Sequence, residues 1–500
     1  MIRTLFFLAL LLASGRVLAQ HEHHQTGQTP PAPKPKAAPA KRDTTPPMQH
    51  EGMNHSTMNH TAMPTDSMNH VMNPSGMGHE EMSEGVMSHS FSLSLPMNRN
   101  GSGTGWLPDA TPLYAYMKHS PKWMLMLHGS VFLRYTATNL NNEDKRGRNR
   151  FSAPNWAMGM AQRQVGKNGL FMARLMVSLD PVTEGGQGYP LLFQTGESYE
   201  GQPIVDGQHP HDIVSELAVG YTQRLSPKAD VSLYLGYPGE PALGPTAFMH
   251  RISAFSNPDA ALGHHWQDAT HITFGVATLG FRYGKFKLEG SSFTGREPDE
   301  NRSDFDKPRF DSYSARLQFA PSAAWALQVS RGLLKNPEVL HPGDVTRTTA
   351  SAIHSRALRG QNRFWTSALV WGMNELEGHP EHSFLAETNL QLDRWAVYGR
   401  YEFVQKSAEE LFSELPENAG FPEDRLFNVN AFSLGLNRQV AYFANTMVHA
   451  GVQATFHATD RALEPFYGKN PVSAQVYLRL MPGLLRMSRM GGMNHGNHKM

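Results

Sequence analysis

From about residue 106 to residue 483, apolar and polar side chains alternate with a period of two. YSARLQFA (313–320) sets Tyr313, Ala315, Leu317 and Phe319 against Ser314, Arg316 and Gln318. WAVYGRYEF (395–403) sets Trp395, Val397, Tyr401 and Phe403 on one face, and VSAQVYLRL (472–480) does so with Val472, Ala474, Val476, Leu478 and Leu480. Successive strand side chains point to opposite faces, so such runs predict β-strands with one apolar face. The runs number about sixteen, at 123–136, 155–163, 170–180, 211–224, 230–237, 270–282, 286–295, 310–320, 323–333, 346–357, 363–373, 382–391, 394–405, 426–438, 445–456 and 472–481.

The gaps between runs sort by parity. Short ones such as Gly284-Lys285, PS (321–322) and LD (392–393) alternate with long ones such as 181–209, 238–269, 296–309, 406–425 and 457–471. Short turns at one end and long loops at the other mark an all-β, antiparallel up-and-down transmembrane barrel. A soluble sandwich has no reason to sort its loops this way. Arg, Glu and Gln on the second face suit a wet lumen, and Trp123, Tyr135, Trp371 and Trp395 suit an interfacial girdle. An even strand number puts both chain ends on one side.

Upstream of the barrel the material changes. Residues 1–19 have a basic Arg3, an apolar stretch and a small-residue site at Val17-Leu18-Ala19, the pattern of a secretory signal peptide. Residues 20–105 hold a Pro/Ala/Lys linker and then a Met/His tract, too poor in apolar partners to offset the entropy of ordering. They are expected to form a disordered periplasmic arm, with the barrel at 106–483 and a similar tail at 484–500. Together these features predict the bacterial outer membrane, with lipid as the surrounding partner and both termini in the periplasm. The net charge of +1 gives no reason to expect a nucleic-acid partner. Oligomeric state is left open.

The tract repeats methionine about every five residues and pairs it with histidine. The candidate ligands are Met48, His50, Met53, His55, Met58, His60, Met63, Met68, His70, Met77, His79, Met82, Met87 and His89. Met493, His495 and His498 repeat the motif in the tail. A period of five is neither a helix face nor a strand face, so this is no disguised core stripe. The chain has no cysteine, so thioether and imidazole are its soft and borderline donors. Thioethers select Cu(I), and zinc or nickel would reward the histidines alone. The expected ions are copper, as Cu(I) or Cu(II), with silver as a second soft ion.

A second histidine group lies in the barrel sequence, in or beside two long gaps. QHPHD carries His209, His211 and Asp212; FMHR carries Met249 and His250; LGHHWQDATH carries His264, His265, Asp268 and His271. Inward-folded loops would let these converge either as a metal or substrate site or as a hydrogen-bonded plug. The loop REPDENRSDFDKPRFD (296–311) reads as solvated or as lining the mouth. Enzymatic signatures are thin: His211-Asp212 is the one pair suited to a hydrolase, and no nucleophile stands out beside it. The chain is therefore not expected to be an enzyme.

A secretion signal, a Met/His arm with Met-Asn-His and Met-Gly-His units over 48–89, and a barrel together resemble the copper-resistance protein B family. The barrel part is more similar to a group of proteobacterial outer-membrane proteins carrying HPHD, FMHR and HHWQD, as found here at 209–212, 248–251 and 264–268. The resemblance implies copper binding at the outer membrane beside periplasmic copper-handling proteins, contributing to sequestration, efflux or tolerance. A general porin or small-solute channel and an outer-membrane hydrolase are the alternatives.

Overall fold

The computed structural model describes residues 89–485. The expected signal peptide, the candidate arm ligands from Met48 to Met87, and the candidates Met493, His495 and His498 lie outside the described residues, and of His89 only the backbone is described.

The predicted runs form a closed antiparallel barrel of sixteen strands. They are β1 (Met124–Ala137), β2 (Asn149–Ser152 continued by Asn155–Val165), β3 (Gly169–Val177), β4 (Val214–Ser226), β5 (Ala229–Gly236) and β6 (Val276–Tyr283). Then come β7 (Phe286–Phe293), β8 (Ser312–Ser322), β9 (Trp325–Leu334), β10 (Val345–Ala357) and β11 (Arg363–Leu376). The last are β12 (His379–Leu392), β13 (Trp395–Ser407), β14 (Leu426–Phe443), β15 (Thr446–Thr459) and β16 (Val472–Pro482). Both pieces of β2 pair with β1, and the break falls at Ala153-Pro154, where proline cannot donate to a ladder. The ring closes where β16 pairs with the upper part of β1, Leu480 opposite Val131. A short strand, Tyr116–His119, pairs with the remainder of the same edge, Tyr116 opposite Leu127.

The alternation has the expected sense. On β1, Leu125, Leu127, Val131, Leu133 and Tyr135 are exposed on the outer wall, while Met124, Met126, Ser130, Phe132, Arg134 and Thr136 are buried inside. On β8, Tyr313 and Leu317 face out and Arg316 and Gln318 face in. An apolar exterior around a polar interior is the arrangement that a lipid bilayer stabilises. Loop lengths also follow the expected parity, with one exception. Glu377-Gly378 joins β11 to β12 at the long-loop end, and its positive φ angles (52° and 85°) fit a tight hairpin turn.

Two chain segments fill the lumen. The first corrects the arm boundary: residues 89–105 fold inside the barrel. Ser92 donates to Asp230 of β5 (2.7 Å), Thr222 of β4 donates to the Phe91 carbonyl (2.9 Å), and Arg174 of β3 to that of Gly103 (2.6 Å). The Trp106 amide donates to Gln318 of β8 (2.7 Å). The wall supplies these partners, so the segment needs no local periodicity of its own to satisfy its backbone. The second is the long connection 237–275, fixed by buried ion pairs. Arg251 reaches Asp268 (2.7 Å) and Glu387 of β12 (2.8 Å), and Asp259 meets Arg134 of β1 (2.7 Å).

Candidate metal centre

The connections 178–213 and 237–275 meet inside the long-loop end of the barrel and bring five histidines together. Ring centroids are 5.9 Å apart for His209 and His211, 5.9 Å for His209 and His265, and 5.4 Å for His211 and His271. His264 lies 5.4 Å from His265 and 5.0 Å from His271. Local backbone sets these positions. His264 and His265 open a short helix, His264–Gln267, and His271 ends the following turn, Ala269–His271. Pro210 separates His209 from His211 in non-helical chain between the short strand Gly207–Gln208 and β4. Gly196, with φ at 110°, passes so close to His265 that a Cβ there would stand 2.8 Å from the ring.

Four of the rings are oriented through Nδ1. His211 Nδ1 donates to Asp180 (2.8 Å), His264 Nδ1 to Asp268 (2.5 Å), His271 Nδ1 to the Asp268 carbonyl (2.9 Å) and His209 Nδ1 to the Pro210 carbonyl (3.1 Å). This leaves Nε2 as the lone-pair atom, and Nε2 of His209, His211 and His271 is buried without a hydrogen-bond partner. Both ring nitrogens of His265 are likewise unpartnered. Buried polar atoms left this way in a plug are costly. Histidine held at one nitrogen by a carboxylate or carbonyl, with the other free, is how metal-binding imidazoles are presented.

Glu197 completes the group. Its Oε1 lies 3.4 Å from His209 Nε2, while Arg302 holds its Oε2 at 2.9 Å. One donor atom each from Glu197, His209 and His265 falls within 4.8 Å of the others. Donors on a tetrahedral zinc-type ion stand about 3.4 Å apart for bonds of 2.0–2.1 Å, so a small closure would seat an ion. Glu297 lies 3.7 Å from His265 Nδ1 as a second carboxylate. Burial pushes His209, His264, His265 and His271 below the ordinary imidazole range, which keeps them neutral. Burial likewise raises Glu197, Glu297 and Asp212, the last to about 7, against the opposing charge of arginines. For Asp268 the upward push of burial is outweighed by the His264 hydrogen bond and by His264 and Arg251, and it stays ionised.

Of the sequence candidates, His209, His211, His264, His265 and His271 converge. Asp268 sits beneath them as an anchor, and Asp212 lines the same small cavity but pairs with Arg302 (3.5 Å). Met249 and His250 stand apart from the group. His250 faces Trp156 and His128 instead, with centroids at 4.8 and 5.6 Å. His211 pairs with Asp180, not with its sequence neighbour Asp212. The 296–311 loop is not wholly solvated: Glu297 and Arg302 are buried in the site. Glu197, Asp180, Glu297 and Arg302 were missed because isolated acidic and basic residues in long loops carry no spacing signal.

No family model matches the chain, and no curated sequence does. Among solved structures, an anion-selective porin from Comamonas acidovorans is similar over 72% of this chain and 100% of its own, at 10% identity and a TM-score of 0.45. Salmonella typhi OmpF in complex with daunomycin gives 73% and 100%, 9% identity and 0.44. A loop-deletion mutant of OmpT from Vibrio cholerae gives 71% and 99%, 9% identity and 0.41.

Proposed function

We propose that this chain is an outer-membrane barrel that captures transition-metal ions, with Glu197, His209 and His265 as the central ligands of a lumen site. The observation that carries the reading is the convergence of unpartnered, buried imidazole nitrogens held in place through their opposite nitrogens. The outward apolar faces of the sixteen strands support a bilayer setting. Nitrogen and carboxylate donors suit Cu(II), Zn(II) and Ni(II). The Met-x-His arm suits Cu(I) and Ag(I), so a copper cargo is served in either oxidation state. The role that follows is copper capture or tolerance at the outer membrane, beside periplasmic copper-handling proteins.

Competition titration of the purified full-length protein with Cu(II), Zn(II) and Ni(II) tests the lumen site. The expected result is one tight divalent equivalent, weakened at least a hundredfold in H209A/H265A. Equal binding by the variant would sink the assignment. A general porin or small-solute channel is the second reading, favoured by the closed sixteen-stranded barrel with a polar inner wall. It predicts single-channel conductance in planar bilayers that persists in H209A/H265A.

A further inference from the structure

The lumen holds a second donor group that differs in kind. A cavity of about 70 Å³ lies between the 89–115 segment and the wall, toward the short-turn end. Met126 of β1 and Met158 and Met160 of β2 reach it from the wall. Met249 enters from the plug connection, Met97 from the lumen segment, and Met481 from the end of β16. His128 and His250 line the same cavity, their rings 5.6 Å apart, and Trp156 stands edge-on to His128 at 5.2 Å.

Methionine often fills irregular cores, and this explanation is the one to beat. Three observations oppose it. Six methionines, Met97, Met126, Met158, Met160, Met249 and Met481, line this one cavity, although Met97, Met126 and Met160 also pack into an apolar cluster with Phe91, Leu243 and Phe293. The space is open and large enough for an ion with a water or two. The imidazoles bring polar atoms without using them: His128 Nε2 is buried and has no hydrogen-bond partner.

We propose that this chamber is a binding site for a monovalent soft cation, Cu(I) or Ag(I), with thioethers of Met158, Met160 and Met249 and the imidazoles of His128 and His250 as ligands. Thioether with imidazole is the donor set that selects such ions. The only charged residue lining the cavity is Arg479, and no carboxylate does. A divalent ion would gain no compensating charge there, while a monovalent one costs far less to desolvate. A smaller cavity of about 60 Å³ lies beside the chamber, sharing Trp156 and Met249 with it, and is also lined by His211 of the histidine cluster. The assignment stands on its own residues and shares with the proposed function only the premise that metal enters the lumen.

Trp156 provides the test. Full-length protein in detergent is titrated with Ag(I) at buffered free concentration, and tryptophan fluorescence is followed. The expected result is a saturable quench that disappears in W156F. In M158L/M249L, which preserves volume, it should need at least tenfold more free Ag(I). A quench of unchanged affinity in M158L/M249L, or none at saturation, would overturn the proposal. Zn(II) binding at the histidine cluster is measured on the same samples. It reports that the variant is folded, and it separates failure of the chamber from failure of the histidine site.

Discussion

Arg251 braces the plug internally, through Asp268 and Thr246, and ties it to the wall through Glu387. Its side chain is fully buried and donates to Glu387 (2.8 Å), Asp268 (2.7 Å) and the Thr246 carbonyl (3.0 Å). Arg251→Met keeps most of the volume and removes all three bonds. Breaking a buried pair by deleting one partner costs about 3–5 kcal/mol. Here each carboxylate keeps a second partner: Glu387 retains Arg400 (3.1 Å) and Ser253 (2.8 Å), and Asp268 retains His264. The lower end, about 3 kcal/mol, is therefore expected. The strand ladder does not depend on Arg251, so the loss falls on docking of residues 237–275. A change of that size raises the undocked population roughly a hundredfold. Limited proteolysis in detergent should cut R251M within 237–275 about a hundredfold faster than the parent, with far-UV strand signal unchanged. Planar-bilayer conductance should rise in parallel. Cleavage and conductance within twofold of the parent would refute the reasoning, because the plug would then be held by packing and not by this network.

Other expectations follow from the same geometry. Arg302→Gln frees the outer oxygen of Glu197, and loss of a ligand's outer partner typically lowers metal affinity about 10–100-fold; isothermal titration with Zn(II) checks it. Gly196→Ala should weaken the site comparably, since the new Cβ displaces His265, while strand content stays constant by circular dichroism. His341 is pushed down by burial but more strongly up by its hydrogen bond to Glu338 (2.8 Å) and by the charges of Glu338 and Glu409, to about 9. Its folded value lies above the unfolded one, so its stabilisation of the 335–344 loop is complete below about pH 6.5 and is lost as pH rises through about 9. Protection factors of that loop, corrected for base-catalysed intrinsic exchange, should therefore fall between pH 7 and pH 10, and H341Q should abolish that fall.

The wall was legible because a strand that faces lipid on one side and a polar lumen on the other must alternate, as at Tyr313 to Phe319. Loop parity added the topology. The turn at Glu377-Gly378 was not legible as a hairpin: polar ends on β11 and β12 broke the alternation early. The histidines were visible as residue types, and their convergence followed from two long gaps folding inward. Which atoms do the holding was not visible. Asp180 and Glu197 lie far from the histidines they serve, and only the folded connections bring them near. Met126, Met158 and Met160 read as ordinary apolar positions in the strand pattern, yet they point into the lumen. The arm boundary at 105 failed for a related reason: residues 89–105 find their hydrogen-bond partners on strands as distant as β8, so composition alone made them look unfoldable.

The seam of the barrel has a consequence for biogenesis. Strand β1 is closed along one edge by two pieces of chain, β16 from the C-terminal end and Tyr116–His119 from the N-terminal end. The cylinder cannot shut until the last strand has been delivered. Residues 89–115 are anchored on the inner wall at Asp230, Thr222 and Gln318, so the completed cylinder encloses them. A chain stopping short of Val472 would leave the β1 edge from Val131 to Ala137 unpaired, an open ladder in place of a closed wall.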